Sequence, residues 1–408
     1  MRERPDFVLT MADDQRRTAW CDGGEPVATP NLSTLARRGR TFTRAQHPGS
    51  PVPAVCVAAR AMLHTGQGPH LDATQISAPG GVLLAERLRA AGYVTLFAGK
   101  WHNGRDALLR SFDAGEAVFL GGMADPFETP FSKLSDGELT PVYAKGVHAT
   151  DAIAEGAAAL IRRHARGALG DRPMALFVAF TAPHDPRATH HQWHDRYPHA
   201  NVELPPNMMP VHPFDNGELY VRDELLTPRP RDPGQTRREI ADYYAMVEHL
   251  DHGIGRVHAA LAEHDLFESA LLAHTADHGL AVGQHGLMGK QNLYEHSVGV
   301  PLILAGPGVK SGTDDRLCYN ADLHPTLLSA AGIEPDAGHF QSLLGEPDDD
   351  RQLQCYYRDV QRSVTLSDGR KLIEYTVDDT VRRVAFDLSV DPFELDASEP
   401  DEDLAALL

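Results

Sequence analysis

The chain has 408 residues, 42% of them hydrophobic, and a formal net charge of −19. That length suits one large α/β domain with an appendage, or two domains. The charge argues against nucleic-acid binding, which needs a basic footprint, and leaves any anion site to a local cluster of cations set against the overall field.

No apolar run is long enough to span a membrane, so none is expected to. The stretch Met1 to Asp6 leads straight into an apolar strand without the apolar run and small-residue cleavage site of a secretory signal, so a cytoplasmic location is expected. Cys21, Cys56, Cys318 and Cys355 are too scattered for a disulfide framework or a zinc site.

In chain order, Phe7 to Met11 is a continuous apolar run, the pattern of a parallel strand covered on both faces, and it ends at Asp13-Asp14-Gln15. A helix opens at Thr29-Pro30-Asn31-Leu32, another covers Val57 to Leu63, and a third Val82 to Ala90. Tyr93 to Ala98 reads as a second strand, ending at Lys100-Trp101-His102. A helix from Thr150 to Arg166 precedes a third strand, Met174 to Phe180, which ends at Thr181-Ala182-Pro183-His184-Asp185.

Residues His190 to Arg231 are rich in Pro, His and charge and read as a long excursion; His190, His191, His194, Arg222 and Arg229 are its candidates for lining a pocket. The spacing of Ile240, Tyr243, Tyr244, Val247, Leu250, Ile254, Val257 and Leu261 is that of an amphipathic helix from Thr236 to His264. A fourth strand, Ser269 to Thr275, ends at Asp277-His278-Gly279; a fifth covers Pro301 to Ala305, and a helix Leu323 to Ala331. Beyond Ile333 four short strands near 354–357, 362–366, 371–375 and 384–388 alternate with polar turns, Asp368-Gly369 being a hairpin signal, and Glu399 to Asp403 reads as a loose acidic tail.

The expected architecture is therefore a large, mostly parallel sheet sandwiched by helices (residues 1–335) beside a small antiparallel sheet (336–408). Four strands each end in a polar cluster, and open α/β sheets bind ligands beyond the carboxyl ends of their strands, so the four are expected to converge.

The chemistry starts from Cys56-Val57-Ala58-Ala59-Arg60. Placed at the start of a helix, Cys56 meets the positive end of the helix dipole, with Arg60 one turn on along the same face. Such a thiol ionises readily and sits beside a cation, as a nucleophile aimed at an anionic ester requires. Cysteine phosphatases keep a longer, glycine-rich loop between their Cys and Arg; this one has three residues and no glycine.

Cys56 to Arg60, followed by Thr65-Gly66, instead resembles the signature of the formylglycine-dependent sulfatases of the alkaline phosphatase superfamily, with Ala58 and Ala59 where Pro-Ser is commoner and Gln67 where Arg is frequent. Further segments follow in the family's order: Asp13-Asp14, Gly99-Lys100-Trp101-His102, Thr181-Ala182-Pro183-His184, Asp277-His278-Gly279 with Lys290, and Asp387-Leu388 with Asp391-Pro392-Glu394.

The resemblance implies a sulfuric ester hydrolase in which Cys56 is oxidised to formylglycine by a formylglycine-generating or anaerobic sulfatase-maturing enzyme. It implies Ca²⁺ held by Asp13, Asp14, Asp277, His278 and modified Cys56; the carboxylate oxygens suit Ca²⁺ or Mg²⁺, and the imidazole, where many relatives carry Asn, admits Mn²⁺. Lys100 and Lys290 would bind the sulfate oxygens, Arg60 and His102 the aldehyde hydrate, and His184 would protonate the leaving alcohol. Lys100 and His102, two apart in an extended segment, would point to one side and Trp101 into packing. A small sulfated substrate, preferably a saccharide, is expected. The alternatives are a phosphonate monoester or phosphodiester hydrolase of the same superfamily, and an anion-binding protein if Cys56 stays a thiol.

Overall fold

The computed structural model describes residues 4–68, 81–142, 145–399 and 402–408. Its centre is a ten-stranded sheet. The strand Phe7–Ala12, buried along its whole length, lies in the middle and pairs in parallel with Met174–Ala179 on one side and Leu271–Ala276 on the other. Val94–Lys100 extends the parallel run beyond Met174–Ala179. Strands buried on both faces need no alternation, which is why these four are plain apolar runs in the sequence.

Two groups of helices pack on this sheet. Pro30–Arg38, Ala149–Ala165 and Pro233–Ala262 form one; Val55–Thr65, Leu84–Ala90, Arg105–Ser111 and Leu323–Ala330 form the other. The first group is tied by Asp251, whose carboxylate accepts the amides of Asn31 and Leu32 at 3.1 and 2.8 Å and so caps the Pro30–Arg38 helix from the long helix. Among the described residues no helix is long and apolar enough to cross a membrane.

The expected fifth strand, Leu302–Ala305, runs antiparallel beside Leu271–Ala276, and strands that the apolar pattern does not announce complete the sheet. Arg40–Gln46 and Gly312–Tyr319 form one edge, and Ala114–Phe119, Phe131–Ser135 and Glu138–Val142 the other. Such edge strands are part-exposed and polar, so they lack the continuous hydrophobic run of a central strand.

The second sheet holds Leu353–Tyr357, Gln361–Thr365, Arg370–Val377 and Thr380–Asp387 in antiparallel order. Its fifth strand is only Gly49–Ser50, pairing in parallel with Tyr356 and Tyr357 just ahead of the helix that carries Cys56. Gly49 is at φ +104°, and a Cβ there would fall 1.8 Å from the Tyr356 carbonyl oxygen, so only glycine fits the seam. The acidic tail is not loose where it is described: residues 400 and 401 lie outside the described residues, but Glu402–Ala405 is helical and Leu404 is buried with Val364, Leu372 and Ala385.

Candidate active site

The four central strands, neighbours in the sheet and parallel, deliver their polar ends to one place. Ala12 and Ala276 are register partners, so Asp13-Asp14 and Asp277-His278 leave the sheet side by side. Gly99 pairs with Ala179, which brings Lys100 level with the segment leading to His184. Gly99 has φ +106° and its α-carbon approaches Ala179 so closely that a side chain would meet the Ala179 carbonyl oxygen at 1.9 Å.

Over these ends sits the first turn of Val55–Thr65, with Cys56 as its second residue. The Cys56 Sγ lies 3.4 Å from Asp13 Oδ1, 3.1 Å from His278 Nε2 and 3.4 Å from Lys290 Nζ. Burial alone would push the thiol up; Lys100, Lys290 and His278 outweigh it, with a hydrogen bond from His102, and hold it well below its ordinary range.

Every carboxylate here has a cation. Lys100 Nζ pairs with Asp13 Oδ2, and Lys290 Nζ with Asp14 Oδ1 at 2.8 Å. Arg60 engages its guanidinium with oxygens: Nη2 reaches Asp277 Oδ2 at 3.0 Å and Asp13 Oδ2 at 3.3 Å, while Nη1 donates to the Lys100 carbonyl at 2.7 Å. Burial would raise Asp13, as would the Cys56 thiolate, but Lys100, His184 and Arg60 bring it below the usual carboxylate range. Asp277 is raised to about 6, by burial first and then by Asp13. Burial would lower His278; Asp277 and the thiolate raise it to about 9. Burial would likewise lower His184, which Asp14 and Asp13 raise.

The backbone around His102 differs from the extended segment expected. Lys100 ends the strand, but His102 is at φ +64°, in the left-handed region. The ring reaches Cys56 through this turn instead, packed over Gly122, where a Cβ would fall 2.5 Å from Nε2. Trp101 is buried among Phe97, Phe112 and His64. Asp14, at φ +72°, is another non-glycine residue of the site with positive φ.

A metal fits the donor set. One ligand atom each from Asp13, Asp14, Cys56 and His278 lie within 4.8 Å of one another, all buried. Asp14 Oδ2 is buried and has no hydrogen-bond partner among the described residues, and a hard cation would satisfy it. Asp277 stands one step back from this group: its Oδ1 accepts the amides of Asp14 and His278 at 3.2 and 2.9 Å and its Oδ2 is held by Arg60.

Of the excursion's candidates only Arg222 reaches the site, through Asp185. His190 and His194 are held by Asp151 and Asp242, and Arg229 stacks over Tyr220. A second group, His148, Asp151 and His249, has its ring nitrogens engaged by protein: His148 with the Thr150 amide and Ala188 carbonyl, His249 with Thr189 and Asp151. It braces two helices and a loop.

Three supporting residues escaped the sequence reading. Asn103 Nδ2 donates to the Val57 carbonyl at 2.8 Å, tying the His102 turn to the Cys56 helix. Asn320 Nδ2 donates to the carbonyls of Ala276 and Asp277. His47 sits behind His278, with ring centroids 6.0 Å apart. Only Asn103, adjoining the Lys100-Trp101-His102 cluster, had a local signal.

Comparison with known proteins places this geometry. The profile described as Sulfatase matches residues 5–333, and that described as N-sulphoglucosamine sulphohydrolase, C-terminal, matches 283–407. A choline-sulfatase of Rhizobium meliloti (strain 1021) is 28% identical over 359 residues, 81% of this chain and 68% of that protein. An ulvan-active sulfatase of Formosa agariphila is 26% identical over 368 residues, 85% of this chain and 66% of that protein. The chain thus spans about two thirds of the length of these relatives. Among solved structures, BT4656 in complex with its substrate D-glucosamine-2-N,6-O-disulfate superposes with a TM-score of 0.80 at 21% identity, covering 100% of this chain and 97% of that one. The phosphonate monoester hydrolase of Agrobacterium radiobacter gives 0.73 at 21%, covering 99% and 93%.

Proposed function

Because the chain belongs to the sulfatase family, we propose that it hydrolyses a sulfate ester, preferably of a carbohydrate, at the centre built around Cys56. The observation that carries this reading is the convergence on one buried thiol of Asp13, Asp14, Lys100, His102, His184 and His278 from just beyond the ends of four adjacent strands, joined by Lys290 from a loop.

In this reading a maturing enzyme oxidises Cys56 to formylglycine, whose hydrate supplies two hydroxyls on one carbon, one to displace the alcohol and one to release sulfate. Asp13, Asp14, His278 and the modified side chain would hold Ca²⁺, with Mg²⁺ or Mn²⁺ as substitutes and Asp277 bracing the set; the ion supplies Lewis-acid polarisation of an ester oxygen.

The chain's own residues do the rest. Lys290, with Nζ 3.4 Å from the thiol, and Lys100, which also acts on it electrostatically, hold the non-bridging oxygens as charge gathers on them. Arg60 fixes the Asp13 and Asp277 carboxylates rather than the substrate. His184, whose pKa Asp14 and Asp13 raise, delivers its proton to the leaving oxygen. His102, whose buried Nδ1 lacks a partner among the described residues, takes the proton from the hydrate's second hydroxyl. The local cations also answer how a chain of charge −19 draws in an anion.

His278 supports a second reading, a phosphonate monoester or phosphodiester hydrolase, because that branch of the superfamily also pairs Asp with His at the metal. Matched sulfate and phosphate esters offered to the matured protein decide between the two. Sulfate release, abolished in Cys56→Ala, is the expected result; predominant phosphate release overturns it.

A further inference from the structure

His184 is not left to orient itself. Its Nδ1 donates to the main-chain carbonyl of Asp185 at 2.7 Å, and the Asp185 carboxylate Oδ1 lies 3.4 Å from the same nitrogen, which leaves Nε2 to face Cys56. Asp185 is itself clamped. Arg222 Nη1 donates to Oδ1 at 3.2 Å and Nη2 pairs closely with Oδ2, a two-pronged contact that fixes the plane of the carboxylate.

Arg222 comes from the long excursion and is anchored there on two further sides. Its Nη1 also meets Asp223 Oδ1 at 2.8 Å, and its Nη2 lies 2.9 Å from Met123 Sδ, next to the Gly122 that supports His102. Asp223 in turn accepts from Gln291, the neighbour of Lys290, at 2.8 Å. The turn at 222–223 therefore spans the site from the His184 side to the Lys290 side. Asp185 is buried whereas the Arg222 side chain is 49% exposed, so the clamp closes from the solvent side.

We propose that Asp185 and Arg222 are positioning residues: Arg222 fixes the Asp185 carboxylate, and Asp185 holds the His184 imidazole with Nδ1–H inward and Nε2–H aimed at the leaving oxygen. The inference rests on the reading of His184 as the proton donor. It follows the general rule that an imidazole used for proton transfer has its far nitrogen tied to a fixed acceptor. In the step, a hydroxyl oxygen of the hydrate at residue 56 bonds to sulfur, its proton going to the Asp277 carboxylate, as the bond from sulfur to the alcohol oxygen breaks; that oxygen takes the His184 Nε2 proton, and His184, left neutral, regains one from solvent.

The test compares two sulfate esters, a nitrophenyl sulfate whose leaving group needs no proton and a primary sugar sulfate whose leaving group does. Asp185→Asn and Arg222→Gln are expected to lower kcat on the sugar ester by ~10²-fold and on the aryl ester only by about a few-fold, with Arg222→Lys recovering part of the loss. Equal losses on both esters, or none on either, overturn the proposal. A second readout needs no turnover. The imidazole ¹⁵N signals of His184, recorded at a pH high enough to leave the ring neutral and identified by their absence from His184→Gln, are expected to report the Nδ1–H tautomer in the wild type and a mixture of tautomers in Arg222→Gln; unchanged tautomers also overturn it. Wild-type protein inert on both esters would count against the sulfatase reading, while the tautomer measurement still decides the positioning role.

Discussion

Cys56 is a buried group surrounded by opposing charges, and its usefulness comes from their balance. Lys100 and Lys290 each serve a carboxylate and the thiol, so the same cations that make Asp13 and Asp14 tolerable in the interior also hold negative charge at position 56. Buried histidines that take no part show the opposite case. His274, between Thr10 and Gln15 at 3.0 Å each, is lowered by burial from 6.5 to about 3. The unfolded chain therefore binds a proton at His274 near 6.5 that the folded chain refuses. Its contribution to stability is complete above that value and lost as pH falls toward 3. At pH 5 the loss is about 2 kcal/mol from this residue. Urea unfolding at pH 7.5 and pH 5 checks it: His274→Gln should lose less stability between the two than the wild type, and parallel losses would contradict the assignment.

At the scale of elements, the helix bearing Cys56 is positioned by what precedes it. Gly49–Ser50 docks on Leu353–Tyr357, and the helix bearing Cys56 starts a few residues later, so the small sheet steadies the entry to the site. Gly49→Ala should separate this seam, costing about 3 kcal/mol and most of the activity. Thermal unfolding and sulfate release measure both; a variant with unchanged Tm and turnover would contradict the role. This seam was illegible in the sequence because two residues carry no periodicity. The central strands were legible for the opposite reason, each being a fully buried apolar run that stops at a polar cluster. The edge strands were missed because half-exposed strands alternate weakly. Arg222 could be named only as one basic residue among several in the excursion, since its pairing with Asp185 spans 37 positions and appears only once the chain is folded.

Across the whole molecule, the sheet's topology does what the local motifs cannot. Four segments distant in sequence become neighbours because the strands Leu271–Ala276, Phe7–Ala12, Met174–Ala179 and Val94–Lys100 are adjacent and parallel, and their carboxyl ends leave Asp13, Asp14, Lys100, His102, His184 and His278 around one side chain, with Lys290 reaching it from a loop. The excursion then reaches that point through Arg222, and the small sheet holds the segment leading into the Cys56 helix through Gly49. All of this serves a single chemical claim, that residue 56 works as an aldehyde hydrate rather than as a thiol. Mass spectrometry of the tryptic peptide ending at Arg60, from protein made in a host that carries a maturing enzyme, tests that claim directly. The account predicts the mass of formylglycine at position 56 in active preparations; an unmodified cysteine in protein that turns over sulfate esters would contradict it.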